Sequence, residues 1–204
     1  MRWKNQCASF MSVLFACCVL TVGIQPTHAQ NRNQQPRLHE SRSTTPAEAA
    51  ARTQRYIVEE IRHRLVTLPY YDVFDWLEGQ VLPDGMVVLR GQVVRPTTKS
   101  DAVARVQDIE GVARVDDQIE VLPLSPSDDQ LRIALYRAIY GFDSPLFRYA
   151  TRAVPPIHII VRNRRAVLKG IVANEGDKNF AYVRARGVPG LFEVTNDLQV
   201  ERTD

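Results

Sequence analysis

The chain has 204 residues, 45% of them hydrophobic and 24% charged, enough to bury one moderate core or two small ones. That composition excludes collagen-like, fully disordered and multi-pass membrane classes. A net charge of +3, from 26 Lys and Arg against 23 Asp and Glu, is too small to argue for a nucleic-acid partner.

Arg2 and Lys4 precede an apolar stretch from Phe10 to Ile24, followed by Pro26 and the small-residue site Thr27-His28-Ala29. This order predicts a secretory signal cleaved before Gln30. The stretch is shorter than the roughly 20 residues a membrane-spanning helix needs. Leu14-Phe15-Ala16-Cys17 also resembles a bacterial lipoprotein signal, but Phe15 is bulky for that position and the apolar run continues where a polar tether belongs. Cys7, Cys17 and Cys18 all lie in this leader, so a processed chain would have no disulfide, thiolate metal site or Cys nucleophile. Export without cysteine fits a bacterial envelope protein in the periplasm, free or associated with a membrane.

Residues 30–46 are polar, with a single Leu, and cannot offset their ordering entropy by burial. They read as a flexible tether. From Ala47 the chain becomes helix-forming, with Ile57, Ile61, Leu65 and Leu68 at helical spacing and Pro69 just beyond. Ser or Thr before Pro46 is placed to cap this helix. A hairpin follows, with Gln80–Leu82 and Met86–Val93 flanking Pro83-Asp84-Gly85. Next come a helix over about Lys99–Asp108 and a strand over Ala113–Leu122.

The same order then returns. Leu131–Tyr140 reads as a helix with Leu131, Leu135, Ile139 and Phe142 along one face. Ile157–Val161 and Ala166–Val172 form a hairpin around Arg162-Asn163-Arg164-Arg165, followed by a helix over Lys178–Arg186 and a strand over Phe192–Glu201. Alignment of the chain on itself makes the repeat explicit. At an offset of 79, Val88-Leu89-Arg90-Gly91-Gln92-Val93 falls on Val167-Leu168-Lys169-Gly170-Ile171-Val172, and the match runs without a gap to Val121 on Val200. The predicted fold class is α+β, two tandem α-β-β-α-β domains, each a small three-stranded sheet covered by two helices. The expected organisation is a signal peptide over 1–29, a tether over 30–46, a first domain over 47–122, a linker over 123–127 and a second domain over 128–204.

Gly91 and Gly170 lie inside strands, which marks a bulge or a close approach, expected here from a crossing helix. Gly111 and Gly190 follow the second helix of each copy, where a left-handed C-cap suits glycine. The repeated V-x-L-x-G-x-V strand, the helix after it and the G-V-x-x-V-x-(D/N)-x-(I/L)-x-V ending resemble BON domains, named for bacterial osmotically induced and nodulation proteins. Val87, Leu89, Gly91, Val93, Gly111, Val112, Val115, Asp117, Ile119 and Val121 carry the resemblance in copy one. Ala166, Leu168, Gly170, Val172, Gly190, Leu191, Val194, Asn196, Leu198 and Val200 carry it in copy two, with Ala166 and Leu191 as mild departures. The resemblance implies a non-enzymatic envelope module that binds phospholipid and serves envelope integrity or stress protection.

Charge is segregated along the chain. Residues 30–55 carry +3, 56–122 carry −5 and 128–204 carry +3. Arg162, Arg164 and Arg165 crowd the second hairpin turn, and Arg148 and Arg152 lie beside Phe147 and Tyr149 in the connection before it. Cations interleaved with aromatics suit an anionic headgroup surface. These seven residues are the candidate lipid-binding set. The competing reading makes the arginines a solvated face paired with the acidic first copy, and the aromatics core. Tyr70, Tyr71, Phe74 and Trp76 read as core between a helix and the first strand of copy one.

No catalytic residue, metal ligand or cofactor is expected. His39, His63 and His158 are scattered over tether, helix and strand, without an H-x-x-x-H pair, and G-x-S-x-G, Walker-type and dinucleotide-binding motifs are missing. The expected partners are an anionic phospholipid surface and, as the alternative, a second copy of the chain or another envelope protein, bound through free sheet edges or opposite charges; nucleic acid is not expected.

Overall fold

The computed structural model describes residues 45–202; the leader and its cysteines, the cleavage site and most of the tether lie outside the described residues. Thr45 opens the first helix, α1 (Pro46–Val66), with a reciprocal cap: its hydroxyl accepts from the Glu48 N–H while the Glu48 carboxylate accepts from the Thr45 N–H. The helix therefore starts 11 residues before Ile57, its first buried residue. Ile57, Ile61 and Leu65 form its buried face.

Strands β1 (Trp76–Val81) and β2 (Met86–Val93) pair antiparallel. Helix α2 (Pro96–Gln107) then carries the chain back so that β3 (Arg114–Val121) pairs parallel with β2. The sheet order is β1-β2-β3. Copy two repeats it: α3 (Pro126–Tyr140), a four-residue helix α4 (Phe147–Ala150), the antiparallel pair β4 (Ile157–Arg162) and β5 (Arg165–Val172), helix α5 (Glu175–Arg186), and β6 (Glu193–Val200) parallel to β5. Each sheet is covered by two main helices on one side. Val87, Leu89, Val93, Ala102, Val106 and Ile119 fill the first core with the α1 residues. Leu135, Ile139, Ile157, Ile159, Leu168, Ala181 and Leu198 fill the second.

The in-strand glycines are needed for a different reason from the crossing helix expected. Gly91 has φ +136° and Gly170 φ +123°, and a Cβ on either would stand 1.8 Å from a carbonyl oxygen, that of Trp76 or Pro156. The intruding atoms are backbone of the neighbouring chain segment, so no side-chain rearrangement relieves them. Gly111 and Gly190 do adopt positive φ, but each lies three residues past its C-cap, Asp108 or Gly187. They turn the chain into β3 and β6. Phe142, expected on the buried face of α3, lies beyond the helix end at Tyr140 and is 91% exposed.

The two copies pack into one compact body. The segment between α1 and β1 crosses from copy one onto copy two. Val73 is buried in the second core, and its carbonyl accepts from the Ile159 N–H of β4 at 2.7 Å. Phe74 meets Tyr136 edge-on at 6.3 Å, and Trp76 and Tyr71 flank His158 at 5.1 and 5.6 Å. The aromatic run 70–76 thus joins the copies and is not internal packing of copy one alone; Tyr70 stays exposed under the Arg95 guanidinium.

Gly170→Ala is expected to lower the unfolding free energy by about 3 kcal/mol or more, from a backbone clash in a φ region hostile to side chains. Urea denaturation followed by circular dichroism measures the loss.

Candidate functional site

Arg162 and Arg165 face each other as the last partners of the β4–β5 hairpin, leaving a two-residue turn at Asn163 and Arg164. Both turn residues have positive φ, 50° and 60°, the conformation that matches the twist of a tight hairpin. Arg164 is an unusual occupant of that region. The Asp128 carboxylate at the start of α3 holds it there, accepting from the N–H groups of Asn163 and Arg164, both at 2.9 Å. Asp128 is 1% exposed and its own N–H donates to Ser125 Oγ, the helix cap. A buried carboxylate therefore fixes the shape of the basic turn.

Around this turn the cations are arranged outward. The Arg164 guanidinium stacks 4.6 Å from the Phe192 ring and donates to the Gly190 carbonyl. Phe192 is 71% exposed. Arg165 has only a long pairing with Glu193, 3.7 Å, and Arg162 donates to Glu120 of copy one at 2.5 Å. Exposed pairs of this kind contribute little stability, so these side chains exchange partners cheaply.

The other members of the predicted lipid set lie elsewhere. Helix α4 sits where the chain enters β4, so Phe147, Arg148, Tyr149 and Arg152 are separated from the turn by the six residues of β4, about 17–20 Å. Tyr149 is 5% exposed; its hydroxyl donates to Asp177 at 2.6 Å and accepts from the Ala173 N–H. It is a core residue. Arg148 also bonds Asp177 and stacks on Tyr149, while Arg152 lies 5.8 Å from the same ring. Phe147 is half-buried against Phe142 at 4.7 Å. Arg148 thus ties α4 to the start of α5. Phe192 at the turn escaped the sequence analysis because only the fold brings it beside Arg164.

A cleft of about 820 Å³ opens between the two copies. Gln92, Glu120 and Leu122 of copy one form one wall; Ile160, Arg162, Val167, Lys169 and Asp197 of copy two form the other, with Phe192 at the edge. Lys169 lies 4.0 Å from Glu78 and 5.8 Å from the Trp76 ring, a further link between copies. The Gln92 Oε1 is buried without a hydrogen-bond partner.

Two segments, residues 77–123 and 148–202, match the family model for the BON domain. The chain belongs to the BON-domain family. Both matches include the in-strand glycine and the strand that closes the sheet, so the second and third strands of each copy are BON-domain elements. Among solved structures, the chain is similar to CdsD, a structural protein of the type III secretion system of Chlamydia trachomatis, at 15% identity over 73% of this chain and 94% of that one, with a TM-score of 0.29. The C-terminal domain of CdsD is similar at 14% identity, covering 72% and 98%, with a TM-score of 0.27. No curated protein matches the chain. Among the described residues of this BON protein, no three His, Cys, Asp or Glu side chains are grouped to hold a metal, and no helix is long and apolar enough to cross a membrane.

Two buried titratable groups sit at the junction of the copies. Burial pushes the His158 imidazole down from 6.5 to about 4, against the influence of backbone groups of Asp75 and Asp72. Burial pushes the Asp75 carboxyl up from 3.8 to about 6, although it accepts from the Val94 N–H at 2.7 Å. The signs oppose. Between about pH 6.5 and 4 the unfolded chain protonates its histidine while folded His158 resists, so acidification costs stability through this group. Between about pH 6 and 3.8 folded Asp75 takes a proton before the unfolded chain does, so acidification adds stability. Asp75→Asn is therefore expected to make stability fall by about 2 kcal/mol more than in the wild type between pH 7 and 4.5, and His158→Gln to reverse the slope. Urea midpoints at the two pH values check both.

Proposed function

We propose that the protein is a non-enzymatic, exported envelope module whose second copy rests on an anionic phospholipid surface through the tip of the β4–β5 hairpin, in support of envelope integrity or stress protection. The observation that carries this reading is the Arg164 guanidinium lying on exposed Phe192 beside the free end of Arg165. Cations within reach of an anionic surface contribute about 1 kcal/mol each, and a ring at the same level enters the headgroup region. Asp128 holds the backbone of the turn that presents them. The BON-domain match supports an envelope setting, and the leader read from the sequence supports export to the periplasm.

A second reading, a protein-interaction or structural module, draws on a separate observation. Arg162–Glu120 and Lys169–Glu78 link the basic copy to the acidic one, so the opposite charges of the copies are used for protein contact within this chain. The same complementarity would serve between chains or with another envelope protein.

Co-sedimentation with phosphatidylglycerol vesicles at low and high salt tests the first reading. Arg164→Glu with Arg165→Glu, which leaves Arg162 and its partner intact, is expected to weaken binding at least about thirtyfold, and salt is expected to weaken wild-type binding as well. Binding indifferent to both changes overturns it. A stable oligomer with no vesicle affinity favours the second.

A further inference from the structure

The cleft between the copies borders the hairpin tip, sharing Arg165 and Phe192 with it, and adds groups that the tip lacks. Its volume, about 820 Å³, lies in the range of ligand sites, which favour the junctions between domains. Its walls hold both hydrogen-bond donors and acceptors. Arg165 and Lys169 have carboxylate neighbours only at 3.7 and 4.0 Å, leaving most of their donors available. Asp197 presents an exposed carboxylate, and the Gln92 Oε1 is buried with no donor. Val167 and Phe192 add apolar surface between them.

A simple anion would satisfy Arg165 and Lys169 but leave the buried Gln92 Oε1 without a donor and bring like charge to Asp197. A hydrocarbon would answer none of the four. A ligand that fits must present N–H donors and a carboxylate on one extended body with small apolar groups. We propose that the cleft binds an extended peptide segment bearing a carboxylate, with its acidic group at Arg165 and Lys169, its backbone N–H groups at Gln92 and Asp197, and an apolar side chain against Val167 and Phe192. Because the walls come from different copies, neither copy alone makes the site. Exposed ion pairs on the rim let the wall side chains change partners when the peptide enters.

The test is fluorescence anisotropy of the full chain with a fluorescein-labelled hexapeptide of alternating glutamate and valine, against one of alternating lysine and valine. The acidic peptide is expected to saturate and the basic one to bind at least about tenfold more weakly. Lys169→Gln and Gln92→Ala, neither of them at the hairpin tip, are each expected to weaken acidic-peptide binding about tenfold while vesicle co-sedimentation is unchanged. Arg164→Glu is expected to do the reverse. Circular dichroism melts confirm that each variant is folded. Equal binding of the two peptides, no binding at millimolar peptide, or displacement of the peptide by inorganic phosphate alone with no effect of Gln92→Ala overturns the proposal, whatever the fate of the lipid reading.

Discussion

The arrangement of the two copies depends on the segment that leaves α1 and crosses to β4. Val73 gives its side chain to the second core and its carbonyl to the Ile159 N–H, so one residue supplies both an apolar contact and a partner for a strand edge. An edge N–H left without a partner under cover is costly, and here copy one supplies the acceptor. The consequence is visible in β4. Ile157 through Val161 are all buried, including His158 and Ile160 on the side away from the helices, whereas the equivalent β1 has no fully buried residue. One copy shields a strand of the other and receives no matching shield in return.

That asymmetry explains how identical folds acquire different surfaces. The two sheets share strand order, register and glycine geometry, so the duplication preserved what the backbone requires. Divergence lies at the turns. Pro83-Asp84-Gly85 leaves the first hairpin acidic, while the second carries three arginines around a turn whose left-handed residues are held by Asp128. Basic residues at that tip are close enough to Glu120 for Arg162 to bridge the copies and exposed enough at Arg164 and Arg165 to meet something else.

Most of the fold was legible in the sequence because it is written twice. The offset of 79 aligns strands, glycines and the closing strand, and periodicity places the helices within a few residues. Contacts between the copies were not legible, since an aromatic run such as Tyr70 to Trp76 reads the same whether it covers its own core or its neighbour's. Helix α4 was missed because four residues are too few to show a period. For the proposed site, the arginine-rich turn was legible in the sequence, whereas the distance of Phe147, Arg148, Tyr149 and Arg152 from it was not. Proximity in sequence across β4 becomes the length of a strand in space, and Tyr149 turns inward because Asp177 offers its hydroxyl a buried acceptor. Phe192 and the cleft depend on which faces meet, which no single-chain pattern encodes.

The link between the copies is short. Leu122 still donates to Val93 at the end of the first sheet and α3 begins at Pro126. A connector of so few residues holds the crossing segment near β4 at an effective concentration in the millimolar range or above. An association with a dissociation constant of 1 mM corresponds to about 4 kcal/mol, so an interface too weak to assemble two separate domains would still be closed most of the time within one chain. The short connector therefore adds to the buried contacts of Val73 on β4 in keeping the cleft walls together.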